Sequence, residues 1–281
     1  MFRISHLPLL VCVSLTCAHA GLIVNQNVAG ANPAGIQAAV DAFRAQIGGG
    51  TVAGANGLFG GIRREINWDG VPDSFSDPNN LPANFFNVNS PRGVVFSTAG
   101  TGFLTSADSS NPTSTPTLFT GLNAGYAGAF QTFSAERLFG VVGSTDLDVN
   151  FFQPGTSNGA FVTSFGAVFV DNTQGTGAGC ASIAAFNGAN SLGINCAVAT
   201  NAGGLSFLAV SATGSDVITR IRIHLGNGVL GSTQSPTNEV VVMDDFIFSN
   251  PTAPEPSTAV LTLGALLLVA ISLRMKSAVS R

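Results

Sequence analysis

Apolar residues recur along this chain in two rhythms. Ile36, Val40, Phe43 and Ile47 are three and four apart, the period of one helix face. Asn32 can cap that helix, Pro33 takes its first position, and Gly48-Gly49-Gly50 ends it. A stripe of this kind needs a larger apolar surface to lie on. Beyond it the rhythm changes. Residues 93–98, 139–142, 147–152, 161–170, 205–212, 217–225 and 240–248 are rich in Val, Ile and Phe, with Gly, Asn, Ser and Pro clusters between them. Strands spaced this way without intervening helices predict an antiparallel sandwich or barrel. The expected fold is therefore mainly β: an antiparallel jelly-roll-like β-sandwich over residues 21–250, with the amphipathic helix at one edge. Residues 106–120 (Ser, Thr, Pro and Asn) and 172–179 predict surface loops, and 250–254 a linker. No fixed-period repeat is present, which argues against a solenoid or propeller.

Two of the strand segments alternate strictly. Arg220, Arg222 and His224 share one face of their strand, with Ile221, Ile223 and Leu225 on the other. Asp146, Asp148 and Asn150 likewise share a face. A solvated strand face with acidic partners across it accounts for the basic row, and a small anion or acidic-sugar site is the functional rival. His224 is the only histidine between residues 21 and 281, so paired-histidine metal sites cannot form and a Ser-His-Asp triad would have to use it.

In the last strand Asp244 and Asp245 interrupt an apolar run, and a carboxylate buried there must be paired or protonated. Arg220 or Arg222 could supply the pairing. The alternative is calcium, for which Asp146, Asp148, Asp244 and Asp245 offer hard oxygen ligands, although no EF-hand spacing is present. A paired Asp in a final strand resembles carbohydrate-binding and adhesion-type jelly rolls, some of which hold structural calcium. Glu65, Asp69 and Asp73 surround Trp68, the ingredients of a glycosidase site. Arg63 and Arg64 stand beside them, and salt pairing explains that cluster with fewer assumptions. No catalytic residue is assigned.

Composition narrows the function further. Between residues 21 and 256 there are seven arginines, no lysine and fifteen acids, a net charge of −8. Such a body is a poor partner for nucleic acid, whose phosphates need clustered Lys or Arg. Twenty-one Phe against one Trp and one Tyr fill a core and do not build a sugar-stacking platform. Two cysteines, Cys180 and Cys196, remain outside the N-terminal segment, and in an oxidising compartment a disulfide is the default. The loop it closes, about fifteen residues, would gain roughly 3 kcal/mol.

The ends supply the address. Arg3, a short apolar core over residues 7–16 and Ala18-His19-Ala20 predict a secretory signal peptide (1–20) cut between Ala20 and Gly21. At the other end Pro254-Glu255-Pro256 precedes an apolar run over residues 257–273, followed by Arg274 and Lys276. That run is near the lower limit for a membrane helix, and basic residues on its C-terminal side place that side in the cytoplasm. The order over 251–281 resembles the PEP-CTERM sorting signal of Gram-negative bacteria, also called the ice-binding protein C-terminal domain. Segments such as Asn84-Phe85-Phe86-Asn87-Val88, Glu136-Arg137-Leu138-Phe139 and Val242-Met243-Asp244-Asp245-Phe246 are similar to bodies of PEP-CTERM proteins of undefined activity. The resemblance implies processing by the membrane protease exosortase. It also implies inner-membrane anchoring with the body in the periplasm, then release to the cell surface or medium. The expected function is that of a non-enzymatic β-sandwich of the cell envelope or extracellular matrix, with exopolysaccharide as a partner. The alternative is a calcium-stabilised carbohydrate-binding module. A regular Thr-x-Thr array for ice binding is absent.

Overall fold

The computed structural model describes residues 21–49, 62–235 and 237–253. The expected signal peptide, the tripeptide Pro254-Glu255-Pro256, the apolar segment 257–273, Arg274 and Lys276 lie outside these residues. Among the described residues no helix is long and apolar enough to cross a membrane.

The elements are β1 (Leu22–Gly30), α1 (Pro33–Ile47), β2 (Arg63–Ile66), α2 (Phe85–Val88), β3 (Val94–Ser97), β4 (Gly102–Thr105), β5 (Phe139–Val142), β6 (Asp146–Phe151), β7 (Ser164–Val170), β8 (Ser182–Asn187), β9 (Asn190–Cys196), β10 (Leu205–Ala212), β11 (Arg220–His224) and β12 (Val242–Ser249). Two antiparallel sheets face each other. The larger runs β1-β10-β7-β12-β5-β4 with β2 also on β12, and the smaller runs β3-β6-β11-β8-β9. Every strand segment expected from the apolar pattern contains a strand. The layer between the sheets is built from alternate residues of both, including Leu147, Val149 and Phe151 of β6, Ile221 and Ile223 of β11, and Phe165, Ala167 and Phe169 of β7. Trp68 anchors one end of it, stacked on Phe139 at 4.1 Å between ring centroids and edge-on to Phe86 and Phe246.

The helix begins and ends as its capping residues dictate. Asn32 accepts a hydrogen bond from the Gly35 N–H, and the Gly48 N–H closes on the Arg44 carbonyl at a positive φ of 109°. Its place differs from the expected edge position. α1 lies on the outer face of the larger sheet, where Ile36, Val40 and Phe43 join Val168, Phe207, Ala209 and Ile247 in a second apolar cluster. β7, β10 and β12 carry apolar side chains on both faces, so the outer face needed a cover. Gly30 and Gly35 permit the tight reversal from β1 into α1, since a Cβ on Gly30 would stand 2.8 Å from the Gly35 Cα.

Two segments read as loop or linker are tied into the body. In 106–120, Ala107 and Phe119 are buried, and Phe119 packs in the second cluster. Beyond β12, Asn250 donates to the Ile62 carbonyl, and Thr252 and Phe161 exchange backbone hydrogen bonds of 2.9 Å. The expected disulfide joins Cys180 to Cys196, Cα atoms 5.7 Å apart, and closes the β8–β9 hairpin where Ser182 faces Cys196.

Candidate functional site

The chemically dense part of the body is a bulge in β12. Along β7 the register passes from Met243 opposite Phe169 to Phe246 opposite Ala167, so Asp244 and Asp245 together oppose a single residue, Val168. On its other edge β12 changes partner at the same place, from β5 at Met243 to β2 from Phe246 onward. The extra residue breaks the ladder and frees backbone groups, and the Trp68 Nε1–H takes the Asp244 carbonyl at 2.8 Å. Both side chains are buried, Asp244 completely.

Burial of charge demands partners, and the surrounding elements supply them. The Phe133 and Ser134 N–H groups donate to Asp244 Oδ2 at 2.6 and 3.3 Å. Ser134 Oγ lies 3.1 Å from Asp244 Oδ1 and 2.7 Å from Asp245 Oδ1. A hydroxyl has one proton to give, so serving both oxygens requires a proton on one carboxyl. Asp244 is the one to carry it: complete burial and the neighbouring Asp245 charge hold its pKa well above the usual carboxylate range. Asp245 is also shifted upward by burial, but Ser134, the Asp244 proton and Arg44 oppose that shift. From α1, Arg44 reaches Asp245 at 3.4 Å and grips both oxygens of Glu65 at 3.2 and 3.0 Å. Arg63 adds a 2.6 Å bond to Glu65 and a 2.8 Å bond to the Gly48 carbonyl at the helix end. Helix, β2 and β12 are thus joined through one buried network. The arginine expected to meet the Asp pair was Arg220 or Arg222; it is Arg44.

Those two arginines do something else. β11 pairs with β6 so that Arg220, Arg222 and His224 stand opposite Asn150, Asp148 and Asp146. Asp148 accepts from Arg220 at 2.9 Å and from two Arg222 nitrogens at 2.8 Å each, and His224 Nδ1 lies 2.8 Å from Asp146. The Arg220 guanidinium also sits 3.8 Å from the centre of the Phe186 ring. This ladder occupies the outward face of the smaller sheet, as its alternation predicted. The four aspartates considered for calcium are therefore split between two sheets, each engaged with protein donors. Among the described residues no group of three or more His, Cys, Asp or Glu has the arrangement of a metal site.

The carboxylates near Trp68 are likewise dispersed. Glu65 is locked under α1, and Asp73 pairs with Arg137 at 2.6 Å. Asp69 accepts from the Arg137 N–H at 3.2 Å and from Asn67 at 2.8 Å. Burial, opposed by that N–H and reinforced by Asp245, lifts Asp69 to about 6. Arg63 pairs with Glu65 as expected, whereas Arg64 meets no acid among the described residues. Sequence reasoning missed Arg44 and Ser134. A visible signal existed for Arg44, which stands four residues after Val40 and three before Ile47, within the buried stripe. Ser134 had none. No family model, curated protein or solved structure matches the chain.

Proposed function

We propose that this chain is an exported, non-enzymatic β-sandwich of the jelly-roll type. A PEP-CTERM and exosortase system would deliver it to the cell envelope or extracellular matrix. The observation that carries the reading is the order tripeptide, apolar run, basic residues over 254–276, opposite an N-terminal export signal. The Cys180–Cys196 bridge suits an oxidising compartment. The dispersal of Glu65, Asp73, His224 and the Asp pair into structural pairings supports a body that scaffolds and does not catalyse. Interlocked antiparallel sheets, with β1 on β10 and β7 on β12, support the jelly-roll description.

On this reading residues 257–273 first hold the chain in the inner membrane with the body in the periplasm. Exosortase then acts near Pro254-Glu255-Pro256, and the released body meets exopolysaccharide. Fractionation of the native host, with mass spectrometry of the mature C-terminus, tests this. A trimmed tail on surface or extracellular material is expected, and deletion of residues 254–281 should abolish both trimming and delivery. Unchanged localisation after that deletion would refute the proposal.

A further inference from the structure

The outward face of the smaller sheet is not flat. In register, Ile194 of β9 stands opposite Ala184 of β8, Ala184 opposite Arg222 of β11, Arg222 opposite Asp148 of β6, and Asp148 opposite Ser97 of β3. Their neighbours Leu147, Val149, Ile183, Ala185, Ile221 and Ile223 fill the inter-sheet core, so this row points outward. Ala184 is short, and the row dips between Ile194 and Arg222 into a cavity of about 330 Å3. Ser182 borders the same cavity, and the Cys180–Cys196 bridge walls it together with Ile194. Ile194 is 66% exposed, the most of any large apolar side chain among the described residues.

Arg222 and Asp146 also border a second cavity of about 320 Å3, whose other walls include Ser97, Thr98 and Asp148. Arg222 is half exposed and spends Nε and Nη2 on Asp148, so its Nη1 is left for another acceptor. Asp148 serves Arg220 as well, so one carboxylate answers two guanidiniums. His224 meets acceptors at both ring nitrogens, Asp146 at 2.8 Å and the Ala178 carbonyl at 3.0 Å, and this geometry calls for the doubly protonated ring. Three cations then meet two carboxylates on this face. In the other ion pairs of the described residues the balance is reversed. Arg44 and Arg63 face Asp41, Glu65 and Asp245, and Arg137 faces Asp73 and Asp108.

We propose that the two cavities form one groove for a sugar that carries a carboxylate, a uronic acid residue of a polysaccharide. The carboxylate takes a charge-assisted bond from Arg222 Nη1. The C–H face of the ring lies on Ile194, Ala184 and the disulfide, an aliphatic wall that needs no Trp or Tyr. Ring hydroxyls meet Ser182 and Asp146, which uses only Oδ1 on His224, and the next sugar reaches Ser97 and Thr98. A fatty carboxylate is disfavoured, because its chain would cover these polar groups without pairing them. The groove rests on the envelope reading only for the source of the sugar, an exopolysaccharide.

Calorimetric titration of the full chain in detergent, made in an oxidising compartment of a host without an exosortase, tests the groove. The probes are oligogalacturonate, free galacturonate, a neutral cello-oligosaccharide of the same length, and octanoate. Oligogalacturonate should bind most tightly and weaken as salt rises, with the neutral oligomer about tenfold weaker or more. Arg222→Met should lose about tenfold in affinity, together with the salt dependence, and Ile194→Asp should lose as much. Both side chains are exposed, so unchanged melting temperatures should accompany these losses, and either variant suffices should the other not fold. Equal binding of the neutral oligomer would overturn carboxylate recognition, and tighter binding of octanoate would overturn the sugar. Free galacturonate as tight as the oligomer would overturn the polymer as source. Full affinity in both variants, or no binding at all, would overturn the groove. None of these readings depends on the tail, so failure of the groove and failure of the export proposal are separately visible.

Discussion

Replacing Asp244 by Asn separates the two demands that its position makes. The side chain must accept the Phe133 and Ser134 N–H bonds, and it must contribute a proton beside Asp245. Asn meets both, with its carbonyl oxygen on the backbone donors and its NH2 toward Ser134 and Asp245. Asp meets the second only while protonated. Its folded-state pKa lies above the unfolded value, so the stability it confers is complete below about pH 4 and is lost as pH rises toward the folded value. While the group stays protonated only in the folded state, that loss is about 1.4 kcal/mol per pH unit. Asp69 adds to the same trend up to its folded midpoint of about 6, in smaller measure because it is only half-buried.

The expected results are therefore specific. Wild-type stability should fall from pH 5 to 7, and D244N should fall more gently by about one proton's worth, roughly 1 kcal/mol per pH unit. Near pH 5 the two should agree within about 1 kcal/mol, whereas D244A, which leaves two part-buried N–H groups and the Ser134 hydroxyl without their shared acceptor, should lose about 3 kcal/mol or more. Urea unfolding followed by tryptophan fluorescence reports all three. The chain has a single Trp, and Trp68 is buried with its N–H on the Asp244 carbonyl. A D244N profile as steep as the wild type, or a loss as large as that of D244A, would falsify the protonated assignment.

Further outcomes follow from the same contacts. Arg44→Met removes the cation that meets Asp245 and one of the arginines on Glu65, which keeps Arg63, and should cost about 3–5 kcal/mol, whereas adding Glu65→Gln and Asp245→Asn should restore part of it; no restoration in urea melts would mean that Arg44 acts by packing alone. Cys180→Ser with Cys196→Ser should lose about 3 kcal/mol under oxidising conditions, and reductant should lower the melting temperature of the wild type only. Calcium or chelator should leave that temperature unchanged, because Asp148 is saturated by Arg220 and Arg222, and Asp244 Oδ2 already receives two backbone N–H bonds while its Oδ1 meets the Ser134 hydroxyl; a saturable calcium-induced rise would contradict this. Cleavage after Ala20 would leave a new ammonium on Gly21, whose nitrogen lies 3.2 Å from Asp216. N-terminal sequencing of exported material should begin at Gly21, and a start elsewhere would exclude that ion pair.

The strands rich in Val, Ile and Phe were readable because each buries an alternating apolar row. β1, β2, β4, β8 and β9 were not. β2 is Arg-Arg-Glu-Ile, buried along its whole length, with Arg63 and Glu65 paired to each other, so hydropathy points the wrong way. β8 and β9 are built from Ser, Ala, Asn and Gly as much as from apolar residues, and their hairpin is stapled by the disulfide. The ladder between β6 and β11 was legible because alternation identifies a face, and opposite charges on two such faces select each other. The partner of Asp245 was not. Arg44 is 201 residues away in sequence, and only the docking of α1 on the face of the larger sheet brings it there.

The distribution of charge then makes sense for the fold. Only 9% of the residues are charged, and Arg44, Arg63, Arg64, Glu65, Arg137, Asp244 and Asp245 are spent inside. A guanidinium can bond several groups at once, which a lysine ammonium does less well. That property is needed where Arg44 must serve Asp41, Glu65 and Asp245 together, and Arg137 must serve Asp73, Asp108 and the Ser106 carbonyl. Arginine without lysine in the body is the composition such internal junctions select. It leaves solvation largely to Asn, Ser and Thr, whose uncharged surface is insensitive to ionic strength. Among the described residues Arg64 and Arg92 are the two arginines without an ion pair; the other five tie elements of the body together.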